Sequence, residues 1–163
     1  MAGFADWLSR VGVAASSSKL GGIFYFVVCR RIDSVLIPLS KGRLSMGPPG
    51  QTVLVTTRGA KSGRTRKASL AFLFEGDDMI LVASKGGSPA HPAWYHNMKA
   101  DPRVVVQHRG GIEERIAREA IGDERDRLFA RMAGSFANFA AYQKRATGRT
   151  IPVMVLARSK VPR

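Results

Sequence analysis

The chain has 163 residues, 45% of them hydrophobic and 23% charged, which suits one globular domain with enough apolar surface for a core and argues against intrinsic disorder. Lys and Arg number 26 against 12 Asp and Glu, a formal net charge of +14; such a surface attracts anions, and charge alone does not choose between nucleic acid, anionic lipid and a polyanionic small molecule. The single cysteine, Cys29, rules out an intramolecular disulfide and a cysteine-based zinc site, and His91, His96 and His108 have no recognisable metal-ligand spacing, so no metal is expected.

The first residues, Met1-Ala2-Gly3-Phe4-Ala5-Asp6, lack the positive n-region of a signal peptide. The apolar run from Leu20 to Cys29 is far short of the ~18–20 residues that span a bilayer, so a cytoplasmic location is expected. Phe4, Trp7, Leu8 and Val11 recur at helical spacing. Ser16-Ser17-Ser18 reads as a loop or an N-cap, and Leu20 to Pro38 as a second, more apolar helix with Cys29 a buried thiol. Lys41 to Gly50 is basic, then rich in Gly and Pro, and reads as a linker. A helical extension over residues 1–42 and a β-rich domain over 43–163 are therefore expected.

From Gln51 the period changes. Val53 to Thr57 is a strand of β-branched character, Arg58 to Arg66 a basic loop, and Lys67 to Phe74 a second strand. Gly76-Asp77-Asp78 turns the chain into a strand over Met79 to Ser84. A loop over Lys85 to Pro92 leads to a short helix, Ala93 to Ala100, which Asp101-Pro102 ends. Val104 to His108 and Ile112 to Ala120 pair across a Gly110-Gly111 turn. Asp123 to Ala133 suits a surface helix, and Ile151 to Leu156 a last apolar strand. Antiparallel hairpins with inserted helices predict an α+β fold, with a barrel as one solution to the edge strands.

Four stretches carry candidate chemistry. In Arg58-Gly59-Ala60-Lys61-Ser62-Gly63-Arg64-Thr65-Arg66-Lys67, glycines let backbone N–H groups approach an anion while Lys and Arg supply charge-assisted hydrogen bonds; the alternative is a solvated basic turn. A P-loop is excluded, because Val55 and Ala60 stand where glycines are needed and the loop joins two strands. Ala83-Ser84-Lys85-Gly86-Gly87, at a strand end, can project a side chain into a cleft or be only a turn. His91-Pro92-Ala93-Trp94-Tyr95-His96-Asn97 offers aromatic surface and an amide to a planar ligand; otherwise Trp94 packs into the core while Tyr95 and His96 face solvent. Phe136, Phe139 and Tyr142, three apart, share a face on a helix or turn; the alternative is simple core packing.

In this order the stretches resemble the deazaflavin (coenzyme F420)-dependent nitroreductase and quinone-reductase family. The matching text runs from Leu54-Val55-Thr56-Thr57-Arg58-Gly59-Ala60-Lys61-Ser62-Gly63 and Arg66, through Val82 to Gly87 and His91 to Pro102, to Tyr142-Gln143 and Arg149-Thr150-Ile151-Pro152-Val153. It covers roughly Gly42 to Ala157. The resemblance implies a split β-barrel that binds coenzyme F420 and transfers a hydride between the reduced deazaflavin and a small organic acceptor of the quinone, enone or nitro class. It implies that Lys61, Arg66 and Lys85 hold the coenzyme's phosphate and acidic tail. Ala60 to Ser62, Arg66 to Ser69 (Lys67, Ala68 and Ser69 included) and Val82, Ala83, Ser84 and Lys85 would line the groove, and Ala93, Trp94, Tyr95, His96 and Asn97 would close it. Ser84 would hydrogen-bond the acceptor as charge develops, Tyr142 would orient it or supply a proton, and Phe136, Phe139 and Tyr142 would form the acceptor pocket. Phe136 and Phe139 stand where some members carry tyrosine, so a more apolar pocket is expected.

Other classes stay open at this point: a non-catalytic deazaflavin or lipid carrier, an FMN or haem enzyme on a related barrel, and a nucleic-acid binder, the last disfavoured because no helix-turn-helix or paired-aromatic RNA motif is evident. The basic, aromatic N-terminal segment from Gly3 to Leu39 suits an anionic membrane surface, or packing over the barrel or at a homodimer interface.

Overall fold

The structure is a computed structural model that describes residues 19–159; the expected helix over Phe4 to Val11 lies outside them. Helix α1 (Lys19–Leu39) is followed by strands β1 (Thr52–Arg58), β2 (Thr65–Ala71), β3 (Leu73–Glu75) and β4 (Asp78–Val82). After a 3-10 turn at Lys85–Gly87 come α2 (Ala93–Ala100), β5 (Arg103–His108), β6 (Gly111–Ala120), α3 (Gly122–Ser135), α4 (Asn138–Arg145) and β7 (Val153–Arg158). The seven strands form one sheet in the order β2-β1-β5-β6-β7-β4-β3, and the fold is the α+β split β-barrel that the sequence predicts.

Two elements differ from expectation. The strand expected over Lys67 to Phe74 is two strands, because β2 and β3 lie at opposite ends of the strand order and the chain must leave one edge before starting the other. The break falls at Phe72, which is buried. The segment left as helix or turn around Phe139 is a helix in its own right, α4, with Phe139 and Tyr142 buried on one face.

By internal contacts the chain divides into two compact units: Met1–Val55 with Lys67–Ala71 and Val106–Ile112, and Thr56–Arg66 with Phe72–Val105 and Glu113–Arg163. In the first, Val53, Leu54, Val55, Ile37, Cys29 and Val106 are buried. Asp33 of α1 is buried with them; its carboxylate accepts from the Met46 N–H at 2.7 Å and the Ser69 hydroxyl at 2.6 Å. Burial raises its pKa, and the two hydrogen bonds oppose that shift. The region read as a linker is tightly seated, since a Cβ on Gly42 (φ +78°) would lie 2.3 Å from the His108 carbonyl oxygen.

In the second unit β7 pairs antiparallel with both β4 and β6, Met79 facing Leu156 and Ala117 facing Leu156 in register. Met79 to Val82 and Val153 to Leu156 are buried at every position, the pattern of strands covered on both faces. Helix α3 packs on β4 and β7 through Leu128 and Met132, with Asp123 and Glu124 in its first turn where the helix dipole favours acid. Arg115 is fully buried on β6; it donates to the Asp77 and Leu156 carbonyls at 2.7 Å each and pairs with Glu113 at 2.7 Å.

Candidate functional site

The site elements converge in the second unit. β1 leads into the basic loop, which closes on itself: the Gly59 N–H donates to the Arg64 carbonyl and the Gly63 N–H to the Gly59 carbonyl, both at 2.8 Å. A Cβ on Gly59 would lie 2.7 Å from Ser62 Oγ, and Gly63 has φ +65°, so both glycines are demanded by the turn. Asn97 of α2 anchors the loop. Its buried amide accepts from the Ala60 N–H and donates to Thr57 Oγ1, both at 3.0 Å. The Asn97 side chain is thus engaged within the protein and shapes the loop. Lys61, Ser62, Arg64 and Arg66 are left exposed, and none of the three cations forms an ion pair among the described residues.

β4 ends at Val82, and Ala83 and Ser84 follow, all three buried. The Ser84 carbonyl accepts from Arg149 Nη2 at 2.9 Å and from the Gly87 N–H at 3.0 Å. Its hydroxyl has no hydrogen-bond partner among the described residues. Lys85, Gly86 and Gly87 are consecutive left-handed residues with φ of +47°, +64° and +81°. For Lys85 this conformation costs on the order of 1–3 kcal/mol, and the surrounding packing holds it: a Cβ on Gly87 would sit 2.7 Å from the Tyr142 carbonyl oxygen and 2.8 Å from Arg145 Cβ. Helix α4 therefore rests directly on the turn that begins at Ser84. Its face carries Phe139 and Tyr142, with centroids 6.1 Å apart, and Phe136, just before the helix, lies 5.7 Å from Phe139, both pairs edge to face. Burial raises the Tyr142 pKa, against the opposing pull of Arg145, whose guanidinium stands 5.5 Å from the ring centroid. The Tyr142 hydroxyl has no partner among the described residues either.

Helix α2 starts after Pro92. Trp94 is buried and Ala93 and His96 are exposed. Tyr95 does not face solvent freely; it donates to Glu119 Oε2 at 3.0 Å, and Lys99 meets the same oxygen at 2.9 Å. Of the remaining candidates, Lys67, Ala68 and Ser69 belong to the first unit, where Lys67 is exposed, Ala68 is buried and Ser69 is bound to Asp33.

Sequence reasoning assigned no role to Arg149, although it stood in the matching text. Its guanidinium donates to the Ser88 carbonyl at 2.9 Å, the Ser84 carbonyl at 2.9 Å and the Ala83 carbonyl at 3.5 Å, and it meets His91 Nδ1 at 2.9 Å. Gln143 and Glu119 were missed similarly. Gln143 accepts from the Ile151 N–H at 2.9 Å and donates to the Arg149 carbonyl at 3.0 Å. Arg149 and Glu119 meet partners 20 or more positions away along the chain, which no local pattern announces.

A family model described as F420H(2)-dependent quinone reductase matches residues 37–158. The chain belongs to the F420H(2)-dependent quinone reductase family. A Mycobacterium tuberculosis protein named F420H(2)-dependent quinone reductase is 37% identical over 134 residues, spanning 78% of this chain and 89% of its own. A solved F420-H2 dependent reductase, FDR-A, is 42% identical with a TM-score of 0.60, covering 65% of this chain and 93% of that one. A structure described as a domain-swapped dimer is 35% identical with a TM-score of 0.62, covering 77% and 96%. A haem storage protein from Vibrio cholerae, 12% identical at a TM-score of 0.51 over 69% of this chain and 84% of that one, shares the fold alone. The protein is therefore an F420H2-dependent reductase, and its cofactor is coenzyme F420. The residues present fit that group: a glycine-shaped loop bearing unpaired Lys61, Arg64 and Arg66 suits a phosphodiester and a carboxylate tail.

Proposed function

We propose that this reductase delivers hydride to an apolar, quinone-class acceptor seated against α4, with Ser84 and Tyr142 as its catalytic residues. The observation that carries the reading is that two hydroxyls without a hydrogen-bond partner among the described residues belong to elements in direct contact, the turn beginning at Ser84 and the helix bearing Tyr142. Lys61 and Arg66, with Lys85, hold the phosphate and acidic tail of the coenzyme, and Asn97 keeps Ala60 to Ser62 in the shape this needs. When bound, the reduced coenzyme supplies a hydride. A quinone becomes a quinol by taking that hydride and one proton. Ser84 donates a hydrogen bond to the acceptor oxygen on which negative charge builds. Tyr142, whose pKa burial raises further above its ordinary value, holds the proton that completes the quinol. Phe136 and Phe139 give the acceptor an apolar wall and exclude water from it. The relatives named for quinone support this choice over nitro compounds.

Two coarser features accompany the reading. No described helix is long and apolar enough to cross a membrane. On α1, however, Ile32, Val35 and Leu39 form an exposed apolar row beside Arg31, Lys41 and Arg43, which suits peripheral contact with an anionic surface from the cytoplasmic side or with a second copy of the chain.

Steady-state kinetics with a soluble naphthoquinone test the residue roles. Ser84→Ala lowers kcat/KM by about 10²-fold, the scale of losing one donor to a developing oxyanion. Tyr142→Phe lowers it by roughly 10²-fold, the scale of losing a positioned acid. Wild-type kinetics in both variants would remove the assignment.

A further inference from the structure

Arg149 is the only described side chain that holds both carbonyls at the end of β4, those of Ala83 and Ser84. It also holds Ser88 beyond the left-handed turn. Four acceptors around one guanidinium fix its plane, and the fourth is His91 Nδ1 at 2.9 Å. Arginine has no acceptor and does not give up its proton. His91 Nδ1 must therefore carry the lone pair, and the neutral ring carries its hydrogen on Nε2. A doubly protonated ring would turn an N–H toward a guanidinium at the same distance.

We infer that His91 is a positioning residue whose neutral ring aims Arg149, and through Arg149 the Ala83–Ser84 backbone, so that protonating His91 releases Ser84 and slows hydride transfer. The inference rests on the role given to Ser84 above. The groups around His91 bias it toward the neutral form. From α2, Tyr95 stacks at 4.8 Å between centroids and His96 stands edge-on at 5.9 Å. From the loop before β7 comes Arg149, and from β6 comes Glu119, itself bound by Tyr95 and Lys99. Burial, then Arg149, then His96 lower the His91 pKa below 6.5, with Glu119 opposing. A lowered folded-state pKa means that the stabilising contribution is complete above the unfolded value. It is lost as the pH falls from there through the folded value.

The test uses the full chain and three variants. His91→Asn places an amide oxygen where Nδ1 stands and does not titrate; His91→Phe keeps a ring without an acceptor; Ser84→Ala removes the group being aimed. In wild type, kcat falls with a single protonation on the acid side. In His91→Asn that limb is absent and neutral-pH kcat is retained. In His91→Phe kcat is low at every pH, on the order of tenfold, because small displacements of an aligned group are costly, while the dissociation constant of oxidised F420 is unchanged. In the Ser84→Ala background His91→Phe has no further effect on kcat. Nitrogen-15 spectra of the cofactor-free protein give the second readout: an unprotonated Nδ1 at neutral pH and a midpoint matching the acid limb. Wild-type kcat in His91→Phe beside an impaired Ser84→Ala overturns the inference, as does an Nδ1–H tautomer. Wild-type kcat in Ser84→Ala overturns the Ser84 role itself, and the link from His91 to turnover falls with it.

Discussion

Two sets of cationic residues in this protein do different work. Arg115, Arg125 and Arg149 are turned inward onto backbone carbonyls and hold strands and turns together. Lys61, Arg64, Arg66 and Lys85 are exposed and form no ion pair among the described residues. Of the two, only the second is available to an anionic ligand. Lys61→Ala and Arg66→Ala each weaken F420 binding by roughly tenfold or more, since a hydrogen bond to a charged group contributes about 1.5–3 kcal/mol; fluorescence titration of the coenzyme reads this directly. Neither change lowers the thermal midpoint, because neither side chain packs in the core. The sequence showed the basic loop but not this division, because an arginine in a string of letters looks the same whether it meets a carbonyl or water. Arg149 is the clearest case: its four partners lie 58 to 66 positions away along the chain.

Among elements, two contacts set the site. Asn97 joins α2 to the basic loop, and Gly87 seats α4 on the turn after β4. Asn97→Ala leaves the Ala60 N–H and Thr57 hydroxyl without their partner and costs about 1–3 kcal/mol, seen as a lower midpoint in urea together with weaker coenzyme binding. Gly87→Ala combines a positive φ with a Cβ driven into Tyr142, so it destabilises by more than about 1 kcal/mol and lowers kcat by moving Tyr142. Most elements were legible because they are written locally: continuous apolar runs in β4 and β7, Pro102 ending α2, and paired glycines turning β5 into β6. The division of β2 from β3 was not, since nothing within Lys67 to Phe74 marks the change of sheet edge. The α4 helix was only half legible, because no proline or capping side chain marks its ends as Pro92 and Pro102 mark those of α2, which is equally short.

At the scale of the molecule, the net charge of +14 complements a coenzyme carrying a phosphodiester and a carboxylate tail. Coenzyme affinity should therefore fall steadily with ionic strength, as unpaired surface cations are screened over about 10 Å at 0.1 M salt. The most direct measurement is a fluorescence titration of the full chain with oxidised coenzyme F420, run beside FMN and beside the Lys61→Ala, Arg66→Ala double variant. Saturable binding of F420, weakened in the variant and absent for FMN, is the predicted result. No binding of F420 at micromolar concentration, or equal binding by the double variant, would contradict the site described here.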